Sequence, residues 1–376
     1  MTNGIAHIKL ILMICLSLLS GLHITACSAS QKLSSQQFEH PDMKIVKSHQ
    51  DKRHHTKEGF KNLHTPAITK GPFTYLKMKY FGDEPFADHE QEAHQMPRSE
   101  TRHARSDEHT FEEALITWIG HSTFLIQYRG LNILTDPILS QRASPLSFAG
   151  PKRLVPLPLE YRDLPAIDYV IISHNHYDHL DLETIQLFGN QTRYLVPLKL
   201  KDWFVEQNIS AENVIEFDWW DRALQDDLEI TATPSQHWSS RTLFDRNETL
   251  WAAWHIRIGD FSVWFAGDTG YNDLQFKEIG KHFKQIDIGL IPIGAYAPRW
   301  FMKAQHVNPE EAVKIHQDIN ARQSIGMHWG TFQLSAEKMD APRTELLAAL
   351  KKYQLADSEF RTLAIGETFR YKPGKP

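Results

Sequence analysis

The tightest constraint on this chain is the run Ser173-His174-Asn175-His176-Tyr177-Asp178-His179-Leu180-Asp181, which follows directly on the apolar segment Tyr169–Ser173. It predicts a buried strand whose end carries three histidines and an aspartate on one turn. His174 and His176, two apart in an extended turn, can face one ion, and Asp178 and His179 can turn to a second. Imidazole suits Zn²⁺, and a carboxylate is equally acceptable in a mixed site. A solvated loop is the ordinary expectation for an isolated His-x-His, but not for this set on the tip of an apolar strand. Two ions need further ligands, and three residues have the right setting. His237 comes after the strand-like Leu228–Thr233, Asp268 follows Phe261–Ala266, and His328 sits in Met327-His328-Trp329-Gly330. Each stands just past a strand, beside small or turn residues.

The surrounding pattern is that of an α/β protein. Strands are expected at Leu115–Ile119, Phe124–Tyr128 and Leu131–Thr135, with Arg129-Gly130 as a hairpin turn. Leu182–Phe188 reads as a helix capped by Asp181 and ended by Gly189. Leu250–Ile258 and Phe261–Ala266 are strands that meet at Gly259-Asp260, and Ile286–Ile293 is another. Asn308-Pro309-Glu310-Glu311 opens a helix with cap, first-turn proline and capping-box glutamate in register. Strands separated by a few helices, with chemistry at strand ends, predict layered helices and sheets. All 10 tryptophans lie beyond residue 110, which places the folded body at 111–376.

The N-terminal part differs. Lys9 precedes the apolar run Leu10–Leu22, which is too short to span a bilayer comfortably and suits a signal-peptide core. Ile24-Thr25-Ala26-Cys27 resembles the bacterial lipobox, which implies a signal over 1–26 and a lipid on Cys27. Ser28 in place of an aspartate points to the outer membrane of a Gram-negative cell envelope. The sequence holds only 2 cysteines, and the other, Cys15, falls inside the signal. Residues 27–110 read as a lipid-anchored tether and arm: polar from Ser28 to about Gly59, more apolar over 60–81, polar again over Asp83–Thr110. Of the 21 histidines, those before residue 111 read as incidental to catalysis. His121 could line the site but reads rather as core or as support behind it, and His255 and His316 read as structural. A net charge of −5 argues against sequence-independent nucleic-acid binding, which needs a basic surface.

The metal set resembles that of the metallo-β-lactamase superfamily, whose αββα sandwich binds two metals at the open edge between its sheets. The resemblance implies that His174, His176 and His237 hold one Zn²⁺, that Asp178, His179 and His328 hold a second, and that Asp268 bridges both. Longer stretches are similar to one branch, the N-acylphosphatidylethanolamine-hydrolysing phospholipases D. They include Thr117-Trp118-Ile119-Gly120-His121-Ser122-Thr123, Leu134-Thr135-Asp136-Pro137, Asp218-Trp219-Trp220 and Pro298-Arg299-Trp300-Phe301-Met302-Lys303. The similarity runs in order through residues 111–370.

That resemblance implies hydrolysis of N-acylphosphatidylethanolamine to an N-acylethanolamine and phosphatidic acid, by a hydroxide held between two metal ions. Asp268 would orient it and accept its proton, and Tyr177 and His306 would contact the substrate phosphate or headgroup. The family resemblance also suggests a homodimer. A diacyl phospholipid substrate needs an apolar approach, for which Leu146, Phe148 and Leu154, with Trp300, Phe301 and Met302, are candidates for a rim against the membrane. The lipid-anchored front has no counterpart in the animal enzymes. The alternative reading is a lactonase of the same superfamily, or another small-molecule metallohydrolase of the cell envelope.

Overall fold

The computed structural model describes residues 43–66, 72–82, 86–99 and 112–374. The lipobox with Cys27, and Cys15 before it, lie outside the described residues. In chain order the first strands are β1 (Lys44–Val46), β2 (Ala114–Gly120), β3 (Thr123–Tyr128), β4 (Leu131–Thr135), β5 (Tyr169–Ile171), β6 (Arg193–Pro197) and β7 (Val214–Phe217). They continue with β8 (Arg222–Gln225), β9 (Leu228–Thr233), β10 (Ala253–Ile258), β11 (Phe261–Phe265), β12 (Ile286–Pro292), β13 (Ala321–Met327), β14 (Phe360–Thr362) and β15 (Thr368–Tyr371). One sheet has the order β15-β2-β3-β4-β5-β6-β7, and the other β1-β8-β9-β10-β11-β12-β13-β14.

Both sheets are mixed. β2, β3 and β4 form an antiparallel meander, and β4 to β7 are parallel. In the partner sheet β9, β10 and β11 are antiparallel, and β11 to β14 parallel. The turn between β3 and β4 is the expected Arg129-Gly130, with both residues in the left-handed region at φ 49° and 79°. That is what a two-residue hairpin following the strand twist requires.

Strand alternation assigns the layers. Phe124, Ile126, Ile133 and Ile171 belong to one core cluster with Ile230, Trp254, Ile256, Val263 and Phe265 of the other sheet. Their neighbours Leu125, Leu134, Val170 and Ile172 point the opposite way, to Ile185 and Phe188 of the helix Leu182–Phe188 and Phe204 of the helix Lys201–Glu206. On the far side, the helix Pro309–Asp318 packs on β12 and β13, opened by the reciprocal Asn308–Glu311 capping box. The order is helix, sheet, sheet, helix, the αββα sandwich. Asp136, the 174–179 loop, Asp268 and His328 follow the C-terminal ends of β4, β5, β11 and β13, so parallel strands from both sheets deliver them to one edge.

Three expectations are corrected. Leu250–Ala252 do not extend β10: Leu250 N donates to Leu198 O and Ala252 N to Ser173 O, so this segment ties one sheet to loops of the other. The reading of Ser28 to about Gly59 as a tether fails over 43–59. Lys44–Val46 pairs antiparallel with β8, Lys47 Nζ lies 2.9 Å from Asp221, and Phe60 is buried in the core. Asp218 gathers His54 Nε2 at 2.6 Å, His55 Nε2 at 2.8 Å and Lys52 Nζ at 2.9 Å. Buried carboxylates in Asp218-Trp219-Trp220-Asp221 must be paired, and this polar segment supplies the partners. Within 86–99, His89 is buried with Nε2 2.6 Å from Glu337 O, and Ser99 N donates to Ile365 O, so this stretch too is packed on the body. Among the described residues, no helix is long and apolar enough to cross a membrane.

Asp218→Ala should therefore lower stability by about 2 kcal/mol, the loss of charge-assisted hydrogen bonds, and expose residues 48–59 to protease. Thermal denaturation and mass mapping of the cleavage products check both effects; unchanged cleavage would contradict this anchoring.

Candidate metal centre

The loop carrying the ligands is built on Asp136, fully buried at the end of β4. Its Oδ1 accepts from Ser173 N at 2.6 Å, and its Oδ2 accepts from Ser173 Oγ at 2.5 Å and lies 2.6 Å from His179 Nδ1. Ser173 Oγ is in turn 2.9 Å from His174 Nδ1. One carboxylate thus sets the outer nitrogen of two histidines. The loop closes on itself where His179 N and Leu180 N both return to His176 O, and Asp181 caps the following helix through Thr184 N. Across the gap, Gly267 takes φ +55°, and a Cβ there would stand 2.5 Å from Ser173 Cβ. Only glycine lets the chain pass this close and present Asp268.

The predicted ligands converge. His174 Nε2 and His176 Nδ1 are 2.8 Å apart, and His237 Nε2 is 3.3 Å from the same His176 atom. In a second group, Asp178 Oδ2 lies 3.4 Å from His179 Nε2 and 3.5 Å from His328 Nε2. Asp268 stands between them, Oδ2 3.6 Å from His237 Nε2 and 3.3 Å from His179 Nε2, with Oδ1 3.2 Å from His328 Nε2. His179 Nε2, His328 Nε2 and Asp268 Oδ1 are buried without a hydrogen-bond partner. One proton can bridge only one of the nitrogen contacts in the first group, so protons alone leave inward atoms unsatisfied. Divalent cations satisfy all of them, and the N/O donor set fits.

The electrostatics agree. Burial, with the neighbouring His237, holds His176 down to about 3, and burial holds His237 down to about 4, so both stay neutral as ligands must. Burial also opposes charge on His179 and His328, but the carboxylates prevail: Asp268 and Asp178 lift His328 to about 9, and with Asp136 they hold His179 well above the usual imidazole range. Burial likewise works against charge on Asp178 and Asp268, yet the surrounding imidazoles keep both well below the usual carboxylate range. Without a cation, these carboxylates keep protons on His179 and His328 in its place.

A cavity of about 540 Å³ opens onto this cluster, lined by His176, Tyr177, Asp178, Asp268 and His306. His306 Nδ1 is buried, unpartnered and 3.9 Å from Asp268 Oδ2. Tyr177 is on the wall, its hydroxyl donating to Arg241 O at 2.7 Å under the Arg241 guanidinium. Of the expected apolar rim, Leu146, Phe148 and Trp300 are exposed. Leu154, Phe301 and Met302 are not: Leu154 packs on the main core, and the other two on Met78 and Ala295. Leu243 and Phe244, which the sequence pattern did not single out, are 86% and 89% exposed, with Leu243 at the cavity itself.

A model of the beta-lactamase superfamily domain matches residues 131–329. Over 273 residues the chain is 41% identical to "N-acyl-phosphatidylethanolamine-hydrolyzing phospholipase D 1" of Caenorhabditis elegans, covering 69% of this chain and 77% of that one. The chain belongs to this family of metal-dependent hydrolases. The hydrolase is also 37% identical over 238 residues to the mitochondrial protein of the same description from Saccharomyces cerevisiae, covering 61% of this chain and half, 50%, of the yeast protein's length. Its fold matches that of an isothiocyanate hydrolase from Delia radicum gut bacteria at a TM-score of 0.57 and 21% identity, over 69% of this chain and 100% of that one.

Some contributors to the site escape sequence reasoning. Asp136 stands in an Asp-Pro step after a strand, which reads as a turn. His121, by contrast, lies where expected, buried behind the site with Nε2 2.9 Å from Asp178 Oδ2, at a turn with φ +53°. Arg241 donates from Nη1 to Asn175 O at 2.8 Å and Leu180 O at 2.7 Å, clasping both ends of the ligand loop. As expected, His255 and His316 are structural, the first stacked on Phe283 at 3.7 Å and the second 2.8 Å from Ser324 Oγ.

Asp136→Asn in this hydrolase should weaken metal binding by about 10–100-fold, measured by competition with a chromogenic chelator; unaltered affinity would leave Asp136 a packing residue. The metal-free protein should also have its own pH profile. His176 and His237 have folded values below 6.5, so unfolding takes up protons and stability falls as pH drops from 6.5 toward 4. His328 lies above 6.5, so its contribution is whole below that value and lost as pH rises to about 9. Melting in chelator across this range should show both limbs, and added divalent metal should abolish the alkaline one.

Proposed function

We propose that this hydrolase is a two-zinc phosphodiesterase that cleaves N-acylphosphatidylethanolamine to an N-acylethanolamine and phosphatidic acid. The observation that carries the reading is the 41% identity, over 273 residues, to the worm protein whose name states that activity. The apolar residues Ala143, Leu243, Met302 and Leu334 beside the metal-facing cavity suit a lipid. In the reaction, water adds at phosphorus, the bond from phosphorus to the ethanolamine oxygen breaks, and that oxygen gains a proton.

Zn²⁺ ions on His174, His176 and His237, on Asp178, His179 and His328, and on Asp268 between them would supply Lewis acidity at the phosphoryl oxygens and acidify water. Asp268 has an oxygen toward each ligand group and is placed to orient the attacking water and take its proton. His306 and Tyr177 flank the phosphate from the cavity wall. Exposed Leu146, Phe148, Leu243, Phe244 and Trp300 favour approach to a bilayer. A lipid on Cys27 would keep the enzyme beside its substrate at the outer membrane, and pairing of two copies completes the reading.

The full chain, purified in detergent and mixed with N-acylphosphatidylethanolamine, phosphatidylcholine and a lactone panel, should release N-acylethanolamine. Chelator should stop the release and Zn²⁺ restore it, and Asp268→Asn should lower kcat by at least about a hundredfold. Lactone turnover without N-acylethanolamine release would replace the phospholipase reading by the lactonase one.

A further inference from the structure

Beside the metal-facing cavity lies a second one, of about 810 Å³. The two share Tyr177, Arg241 and Thr242 in their linings, so they adjoin. The second cavity has two kinds of surface. Leu146, Leu182, Leu200 and Trp203 are apolar, whereas Asn175, the residue between the ligands His174 and His176, brings a polar side chain that is 98% buried, being 2% exposed, with Oδ1 unpartnered. A buried amide oxygen without a donor is costly, and a ligand N–H or O–H would satisfy it.

Charge decides what can enter. Asp181, Glu183, Asp245 and Glu248 line the cavity against Arg142 and Arg241. Both arginines already serve backbone carbonyls, Arg142 those of Ser147 and Gly150, and Arg241 those of Asn175 and Leu180. The balance is acidic, which repels a phosphate and admits a neutral group.

We infer that this second cavity is the subsite for the leaving group, a neutral N-acylethanolamine, with the amide N–H directed to Asn175 and the acyl chain along Leu182, Leu200 and Trp203. The inference rests on the phospholipase reading above. In that substrate the amide is one ethylene away from the scissile oxygen, so it reaches the shared wall when phosphorus faces the metal ligands. The anionic phosphatidyl half is left to the apolar mouth at Leu243 and Met302. The acidic lining then sorts the two halves of one lipid.

Leu182 is 37% exposed at the cavity rim, so Leu182→Trp fills the space without disturbing the core. On the full chain, kcat/KM for N-palmitoylphosphatidylethanolamine in vesicles should fall by about tenfold, with N-acetylphosphatidylethanolamine and bis(p-nitrophenyl) phosphate within about twofold of wild type. Equal loss on all three, or on none, overturns the assignment. A wild-type protein that cleaves the small diester and neither lipid overturns the phospholipase reading itself, and the subsite with it. A second measurement needs no variant: N-acyl chains ending in a diazirine should label peptides spanning 182–203 of the wild-type protein. Labelling confined to residues around 243, 302 and 334 would place the acyl chain at the mouth and refute the subsite.

Discussion

The Asp136 carboxylate, sealed from solvent at the end of β4, is the contact on which the centre depends. It accepts the Ser173 amide and hydroxyl and holds the His179 ring, all at 2.5–2.6 Å. Burial pushes its own pKa up, against the pull of the His179 charge and these hydrogen bonds. A buried charge of this kind is tolerable only while every partner stays in place. The demand therefore runs outward: Ser173 must turn at the end of β5, Gly267 must pass without a side chain, and His174 and His179 must keep their inner nitrogens free for an ion. The loop is held in place because both oxygens of this carboxylate are engaged by it.

A second layer of constraint ties the sheets together at the same edge. Ala252 N reaches Ser173 O, His237 Nδ1 faces Gln305 O at 2.9 Å, and His328 N donates to His121 O. His237 and His328 are thus each fastened to another loop, as is Ser173 before the ligand loop. Two sheets that meet only through apolar side chains can slide by fractions of an ångström, whereas these directional bonds fix the ligand groups against each other. Arg241 adds the last fastening, joining the loop after His237 to the loop of His174–His179.

Much of this was legible in the sequence. The ligands could be read because metal chemistry demands rare residue types at strand ends, and because the apolar run of β5 and the largely apolar β11 announce where those strands stop. The helix caps at Asp181 and Asn308 were legible for the same local reason. What escaped was non-local. Nothing beside Asp136 shows that its carboxylate serves residues 37 positions on, and Lys44–Val46 is a three-residue strand set in a polar stretch, too short to signal itself. Histidines such as His54, His55 and His89, read as incidental to catalysis, have structural partners in Asp218 and the Glu337 carbonyl that only the fold reveals. Tyr177 sits where its position implied, but its hydroxyl is held by Arg241, which only the fold reveals.

The central claim is that His174, His176 and His237, with Asp178, His179 and His328, form two adjoining cation sites bridged by Asp268. Anomalous diffraction at the zinc absorption edge, from crystals of the full chain grown with Zn²⁺, tests it most directly. The account predicts two peaks in each chain, one within each ligand group and both beside Asp268. A single peak, or peaks away from these residues, would contradict it.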